Sequence, residues 1–327
     1  MRKMFCVVTA VLALTLGANA HSEEKNWNLK LAHNQTEQHP IHTALLKFAE
    51  ELDSSTQGRI AVEIFPNGIL GNDNAMIEQL RANILQMVKV SSSFLESFDK
   101  TYSIFSIPYL FESKSQYFNV MKAPVMRTIY EGSRPYGFIG LVDFDAGARS
   151  FYTKSKAIHS PEDLKGLKFR VMPSPISIRM MQLLGGQATP LPFGEVYTAL
   201  QQGLLDGAEN SPLPLVDMKH GEVAKHFSYD EHSIIPDLLI INTQTWDAMS
   251  DNDRKLIRAA AERAGDLQKE IWQKDAEAAI EYCTSTLGVA FYTVDKKAFQ
   301  DATRPILDDY LNDPDFSDLI KEIQAIK

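Results

Sequence analysis

Apolar residues recur along this chain with two periods. At 59–65 they alternate, with Ile60, Val62 and Ile64 on one side, which predicts a half-buried strand. Just before it, Ile41, Leu45, Phe48, Ala49 and Leu52 recur at helical spacing after His39-Pro40, and Gln57-Gly58 closes that helix. The same rhythm continues. Strands are predicted at 29–33, 84–90, 138–144, 149–153, 188–191, 204–209 and 289–294. Helices are predicted at 75–83, at 115–131 with a break at Pro124, and at 194–202, and two more close the chain. Ser233 to Asn242, rich in Ile and Leu with Pro236 near its start, reads as one buried strand returning between domains. Strands alternating with helices argue for mainly parallel sheets, an α/β fold.

Two stretches stand apart. From the N-cap candidate Ser250 to about Ser285 nothing interrupts the helical pattern except Gly265, a rod of about 50 Å, longer than one small domain. The other is 163–175, where Phe169 and Val171 alternate with Lys168, Arg170 and Met172. Pro173 ends that strand, Ser174 stands at a helix N-cap and Pro175 at the first helical position. Arg170 is thereby placed near a strand C-terminus and ahead of a helix N-terminus, where open α/β sheets bind ligands. A guanidinium fork beside a helix N-terminus suits a carboxylate or phosphate, although strand-end arginines are also common on solvated faces.

The first residues add an address. Met1-Arg2-Lys3, an apolar run to Leu16 and Ala18-Asn19-Ala20 make a cleavable export signal over 1–20, too short for a membrane anchor. Its loss removes Arg2 and Lys3 and no acid, so the net charge goes from −9 to −11. Such an acidic exported chain is a poor partner for nucleic acid or anionic membranes. The one cysteine left, Cys283, falls in a helical pattern and reads as a buried, inert thiol. Length predicts two domains, with no linker rich in Gly or Ser between them.

Candidate chemistry collects at strand ends: His33, Ser91 with its neighbours Ser92 and Ser93, Arg170, and Asn210, joined by Asp145 and Arg149 where a strand breaks at Gly147. Arginines, amides and hydroxyls suit recognition of an oxygen-rich anion better than turnover. Asp73 at a helix start and Met172 and Phe193 beside Arg170 join the set, with a helix-terminus charge and core packing as their other readings. No nucleophile elbow, metalloprotease motif, paired-cysteine motif or phosphate loop occurs. The eight histidines lack metal-ligand spacing, His39 and His42 having no partner cluster. Neither cofactor nor metal is implied, and an enzyme acting on sugar acids would lack an acid/base pair.

Eight segments in order resemble the substrate-binding proteins of TRAP (tripartite ATP-independent periplasmic) transporters, the DctP-like class. They are Asn67-Gly-Ile-Leu-Gly71, Glu78-Gln-Leu80, Val90-Ser91, Ile107-Pro-Tyr-Leu-Phe111, Gly147-Ala-Arg149, 161–171, 192–201 and Gly203-Leu-Leu-Asp-Gly-Ala-Glu-Asn210. The resemblance implies a two-lobed periplasmic binding protein fold with an interlobe cleft and a long helix bracing both lobes. Residues 21–145 plus about 234–265 would form lobe I, and 146–233 plus about 266–327 lobe II. It implies Arg170 as the main salt bridge to an organic acid, with Arg149 assisting and Asn210 orienting. It further implies a periplasmic location and delivery to membrane permease subunits driven by an ion gradient. The pattern 206–210, with 222–227 and Glu231-His232, looks most like the sugar-acid branch, in which Asp73 and His33 would meet hydroxyls. Asn83 and Gln86 depart from the usual Gly and Asp of that branch. A C4-dicarboxylate or keto-acid receptor, or a receptor presenting its ligand to a sensor kinase, is the alternative.

Overall fold

A computed structural model gives the fold and describes residues 25–327, so the export signal expected over 1–20 lies outside the described residues. Strands β1 (Trp27–Ala32), β2 (Ile60–Phe65), β3 (Met87–Ser91), β4 (Phe138–Phe144) and β10 (Asp237–Asn242) form one sheet, ordered β2-β1-β3-β10-β4. The second sheet contains β5 (Ala148–Thr153), β6 (Lys168–Val171), β7 (Gln187–Pro190), β8 (Gly207–Asn210), β9 (His226–Ile234) and β11 (Ala290–Thr293). Its order is β11-β9-β5-β8-β6-β7.

Each sheet is parallel apart from one strand. In the first, β10 runs antiparallel to β3 and β4. In the second, β5 runs antiparallel to β8 and β9. The cause lies in the crossovers. The chain passes straight from β4 into β5 and from β9 into β10, with only 145–147 and 235–236 between. A strand arriving across the gap starts where its new neighbours end. The cleft edge of each sheet therefore carries both strand C-termini and the start of the incoming strand.

Two expectations are corrected, and one strand was not foreseen. The stretch 233–242 is not one strand: Ser233 and Ile234 end β9, and β10 begins only at Asp237. Pro236 has no N–H for a ladder, and its carbonyl instead accepts from Ser92 N at 2.9 Å. The strand β9 itself is not visible as an apolar alternation, because its buried positions include Asp230 and His232. The strand expected from Ile84 starts at Met87, since Asn83 turns the chain at φ 57° and leaves Ile84 exposed.

The long helix Asp251–Tyr282 contains 32 residues, about 48 Å of rod, with Ser250 accepting from Asp253 N at its start. Ala260, Ala261 and Ala264 pack in the core of the first sheet, while Trp272, Ala276 and Ala279 pack with Leu213 beside the second. The helix thus braces both lobes. Gly265 permits its close approach to β4, where a Cβ would stand 2.7 Å from Val142 Cγ2. The C-terminal helices Lys296–Asn312 and Ser317–Ala325 close the junction: Phe299, Ile306 and Ile320 share one apolar core with Phe105 and Met180.

Candidate ligand-binding site

The cleft edges of the two sheets face one another across a cavity of about 60 Å³. Ser91 ends β3 and Asn210 ends β8, while Arg149 and Asp237 lie at the starts of the incoming strands β5 and β10. Pairing holds them together: Asp237 is opposite Ser91, and Ser150 is opposite Asn210.

The lobe II wall presents hydrogen-bond donors. Arg149 is committed to the protein itself. Its Nε donates to Glu209 Oε2 at 2.5 Å, one Nη to Asn210 Oδ1 at 3.0 Å and the other to the Glu209 carbonyl at 2.7 Å. Asn210 Oδ1 also accepts from Ser211 N, so the side-chain NH2 of Asn210 is left to face the cavity. Arg170 is 2% exposed, donates through Nε to the Leu191 carbonyl at 3.0 Å and lies against the Phe193 ring. Among the described residues no carboxylate lies within ion-pair distance of it. Burial pulls its pKa below the ordinary arginine value, Glu209 working in the opposite direction.

The other buried cations of this wall are each paired. Burial opposes the Glu209 carboxylate, but Arg149 and His232 outweigh it and hold its pKa at about 2. Burial likewise disfavours a charged His232, yet Asp230, at 2.7 Å, and Glu209 raise it to about 9. Arg149 is therefore matched by Glu209, and His232 by Asp230. Arg170 is left as the uncompensated cation of this wall.

The lobe I wall mixes donors and acceptors. Lys89 is 1% exposed on β3, and its Nζ contacts Asp237 Oδ2 and Asn34 Oδ1, each at 3.0 Å. That ammonium is neutralised within the protein and retains one N–H. Asn34 in turn donates to both oxygens of Asp73, at 3.0 and 2.9 Å. Burial pushes the Asp73 carboxyl up, against Lys89. His39 accepts from Ile41 N through Nδ1, which places its proton on Nε2. Burial and then Lys89 lower its pKa to about 3, so it is a neutral donor at the cavity wall.

Of the residues singled out from sequence, the cavity brings together Arg170, Arg149, Asn210, Ser91, Met172 and Phe193. Met172 reaches across to lobe I, its Sδ accepting from Ser93 Oγ at 3.0 Å. Three others stand behind the wall. Asp73 acts through Asn34, His33 bonds His42 at 3.0 Å, and Asp145 pairs with Lys114 at 3.0 Å while bonding Gly147 N. Sequence reasoning missed Lys89, Asp237, Asn34, His39 and Trp272, all of which line the cavity. The signal for Lys89 was a lone lysine between valines in the otherwise apolar Met87-Val-Lys-Val90. Asp237 could have been found from the Pro236 break, since an incoming strand starts at the cleft. Cys283 is buried, and burial raises its thiol to about 11. Among the described residues no group of three or more His, Cys, Asp or Glu is arranged to hold a metal. None of their helices is long and apolar enough to cross a membrane.

An uncharacterised protein of Salmonella typhimurium is 38% identical over 322 residues, covering 98% of this chain and 97% of its own. A TRAP periplasmic solute-binding protein of Anaerococcus prevotii, solved with bound D-glucuronate, superposes with a TM-score of 0.88 at 38% identity, over 92% of this chain and 99% of that one. Another from Xanthobacter autotrophicus, with bound β-D-galacturonate, gives 0.88 at 34% identity, over 91% and 100%. Residues 31–313 match the DctP family of bacterial extracellular solute-binding proteins, family 7, and the chain belongs to that family of two-lobed, non-catalytic solute receptors.

Proposed function

We propose that this protein is the periplasmic receptor of a TRAP transporter for a hexuronate such as glucuronate or galacturonate. It would hand the sugar acid to a membrane permease pair. The observation that carries the reading is the pairing of the cavity's cations. Arg149, Lys89 and His232 each have a carboxylate of the protein, and Arg170 has none. An unpaired buried charge is costly, so the site is completed by one anion. The Arg170 fork and the Asn210 amide are donors suited to a carboxylate. Lys89, Asp237, His39 and Ser91 opposite offer the mixed donors and acceptors that sugar hydroxyls need. A C4-dicarboxylate would bring a second charge with no free cation to meet it.

The receptor needs no chemistry of its own. Ligand bound to both walls favours the closed arrangement by its extra contacts there. The test is a thermal-shift panel on the purified, ligand-free protein with hexuronates, aldonates, C4-dicarboxylates and keto acids. A ligand at about 100 times its Kd adds about 2.7 kcal/mol, a shift of a few degrees for a chain of this size. Hits confined to monocarboxylate sugar acids are expected. Hits confined to dicarboxylates would overturn the sugar-acid reading.

A further inference from the structure

The ligand cavity shares a wall with a second, larger depression. That groove, about 810 Å³, runs between the long helix and the segment carrying Lys114, Phe118 and Lys122. The two spaces back onto one another through single residues of chain. Ala146 lines the cavity and Asp145 the groove; Ser211 lines the cavity and Pro212 the groove. Trp272 lines both. Its indole, only 6% exposed, closes the partition between Gly147, Ser211 and Leu213.

The plate is fixed on several sides. A Cβ on Gly147, whose φ is +74°, would stand 2.4 Å from the indole ring and 2.9 Å from Ser211 Cβ. No side chain other than hydrogen fits there, and the ring in turn cannot move toward β5. Lys114 Nζ lies 4.6 Å from the ring centroid on the groove side, and it is itself anchored by Asp145 at 3.0 Å. Leu213, Ala276 and Ala279 pack around the ring. A wall held in this way does not yield to a longer ligand.

We propose that Trp272 sets the upper size of the ligand, holding the site to one sugar ring and excluding a uronate linked to a second ring. The proposal deepens the uronate reading and rests on it. The cavity without its plate would open into the groove, which has space for a second ring. The wall also separates the small cavity from the larger groove.

Calorimetry with galacturonate and with its 1,4-linked dimer tests the proposal on the wild-type protein, Trp272→Ala and Trp272→Phe. Wild type and Trp272→Phe, which keeps an aromatic plate, should bind the monomer at least 100-fold more tightly than the dimer. Trp272→Ala should bring the two within about tenfold. Dimer binding by wild type, or Trp272→Ala that binds monomer and still excludes dimer, would overturn the proposal. A crystal structure of Trp272→Ala decides the wall without any ligand. A continuous passage from cavity to groove supports it, and a gap refilled by Lys114 or Leu213 overturns it. Wild type that binds neither sugar acid would count against the uronate reading, leaving the crystal structure to decide the wall.

Discussion

Arg149 Nε donates to Glu209 Oε2 at 2.5 Å, so the guanidinium at the start of β5 is neutralised inside the protein and Arg170, its neighbour, is not. Two arginines that look equivalent in sequence have different tasks. Arg149 holds the wall and orients Asn210, whereas Arg170 has no carboxylate partner among the described residues.

The division predicts opposite behaviour for the two positions. Arg170→Ala should lower affinity by about 3–5 kcal/mol, the range for breaking a buried ion pair. The same change should leave the ligand-free protein as stable as wild type or more so, because an uncompensated buried charge is removed. Arg170→Lys should also bind poorly, since a single ammonium cannot replace the bidentate fork. Calorimetry for affinity and urea midpoints for stability measure the two effects. Wild-type affinity in Arg170→Lys would contradict the fork.

Glu209 is the partner whose loss should be felt in stability. Glu209→Gln leaves Arg149 and His232 facing each other without the shared carboxylate that both contact. An uncompensated buried charge costs about 3–5 kcal/mol, so the urea midpoint should fall steeply at pH 7. A change of less than about 1 kcal/mol would show that the network carries little of the fold.

Glu96 predicts how stability varies with pH. It accepts from Ser106 and from Ser174, the latter at 2.8 Å and itself the N-cap of the helix Pro175–Leu183. Burial raises its pKa from 4.5 to about 7, with both serines working against the rise. The folded state thus keeps a proton that the unfolded chain has released. This contribution is fully present below pH 4.5, is lost as pH rises to 7, and is flat beyond. Its size is on the order of 3 kcal/mol. Glu96→Gln, neutral at every pH, should match wild type near pH 4.5 and exceed it in stability at pH 8. A difference between the two proteins that is constant across that range would refute the assignment.

Much of this architecture was legible in the sequence, and the failures have physical causes. The strand–Ser174–Pro175 junction after Arg170 could be read because capping chemistry is local. The long helix could be read because nothing in 251–282 breaks it. By contrast β9 escaped, because Asp230 and His232 occupy buried positions where the pattern expects apolar residues. Arg170, Asn210 and Ser91, all of which line the cavity, could be singled out from strand ends, a feature of single segments. Lys89, Asn34 and Asp237 were missed because their place at the cavity appears only when β10 is laid beside β3. Asp73 and His33 were expected at the ligand; both stand behind the cavity wall, Asp73 accepting from Asn34 and His33 from Gln35 N, a distinction that no spacing rule contains.

The central claim is that Arg170 is the one cation lining the cavity with no carboxylate at ion-pair distance among the described residues. It is tested most directly by calorimetry of the ligand-free protein with galacturonate and with galactarate, the same carbon chain ending in two carboxylates. Galacturonate should bind at least 100-fold more tightly, and Arg170→Ala should abolish most of that binding. Equal or tighter binding of galactarate would mean that a second cation is available, and the charge balance drawn around Arg170 would be wrong.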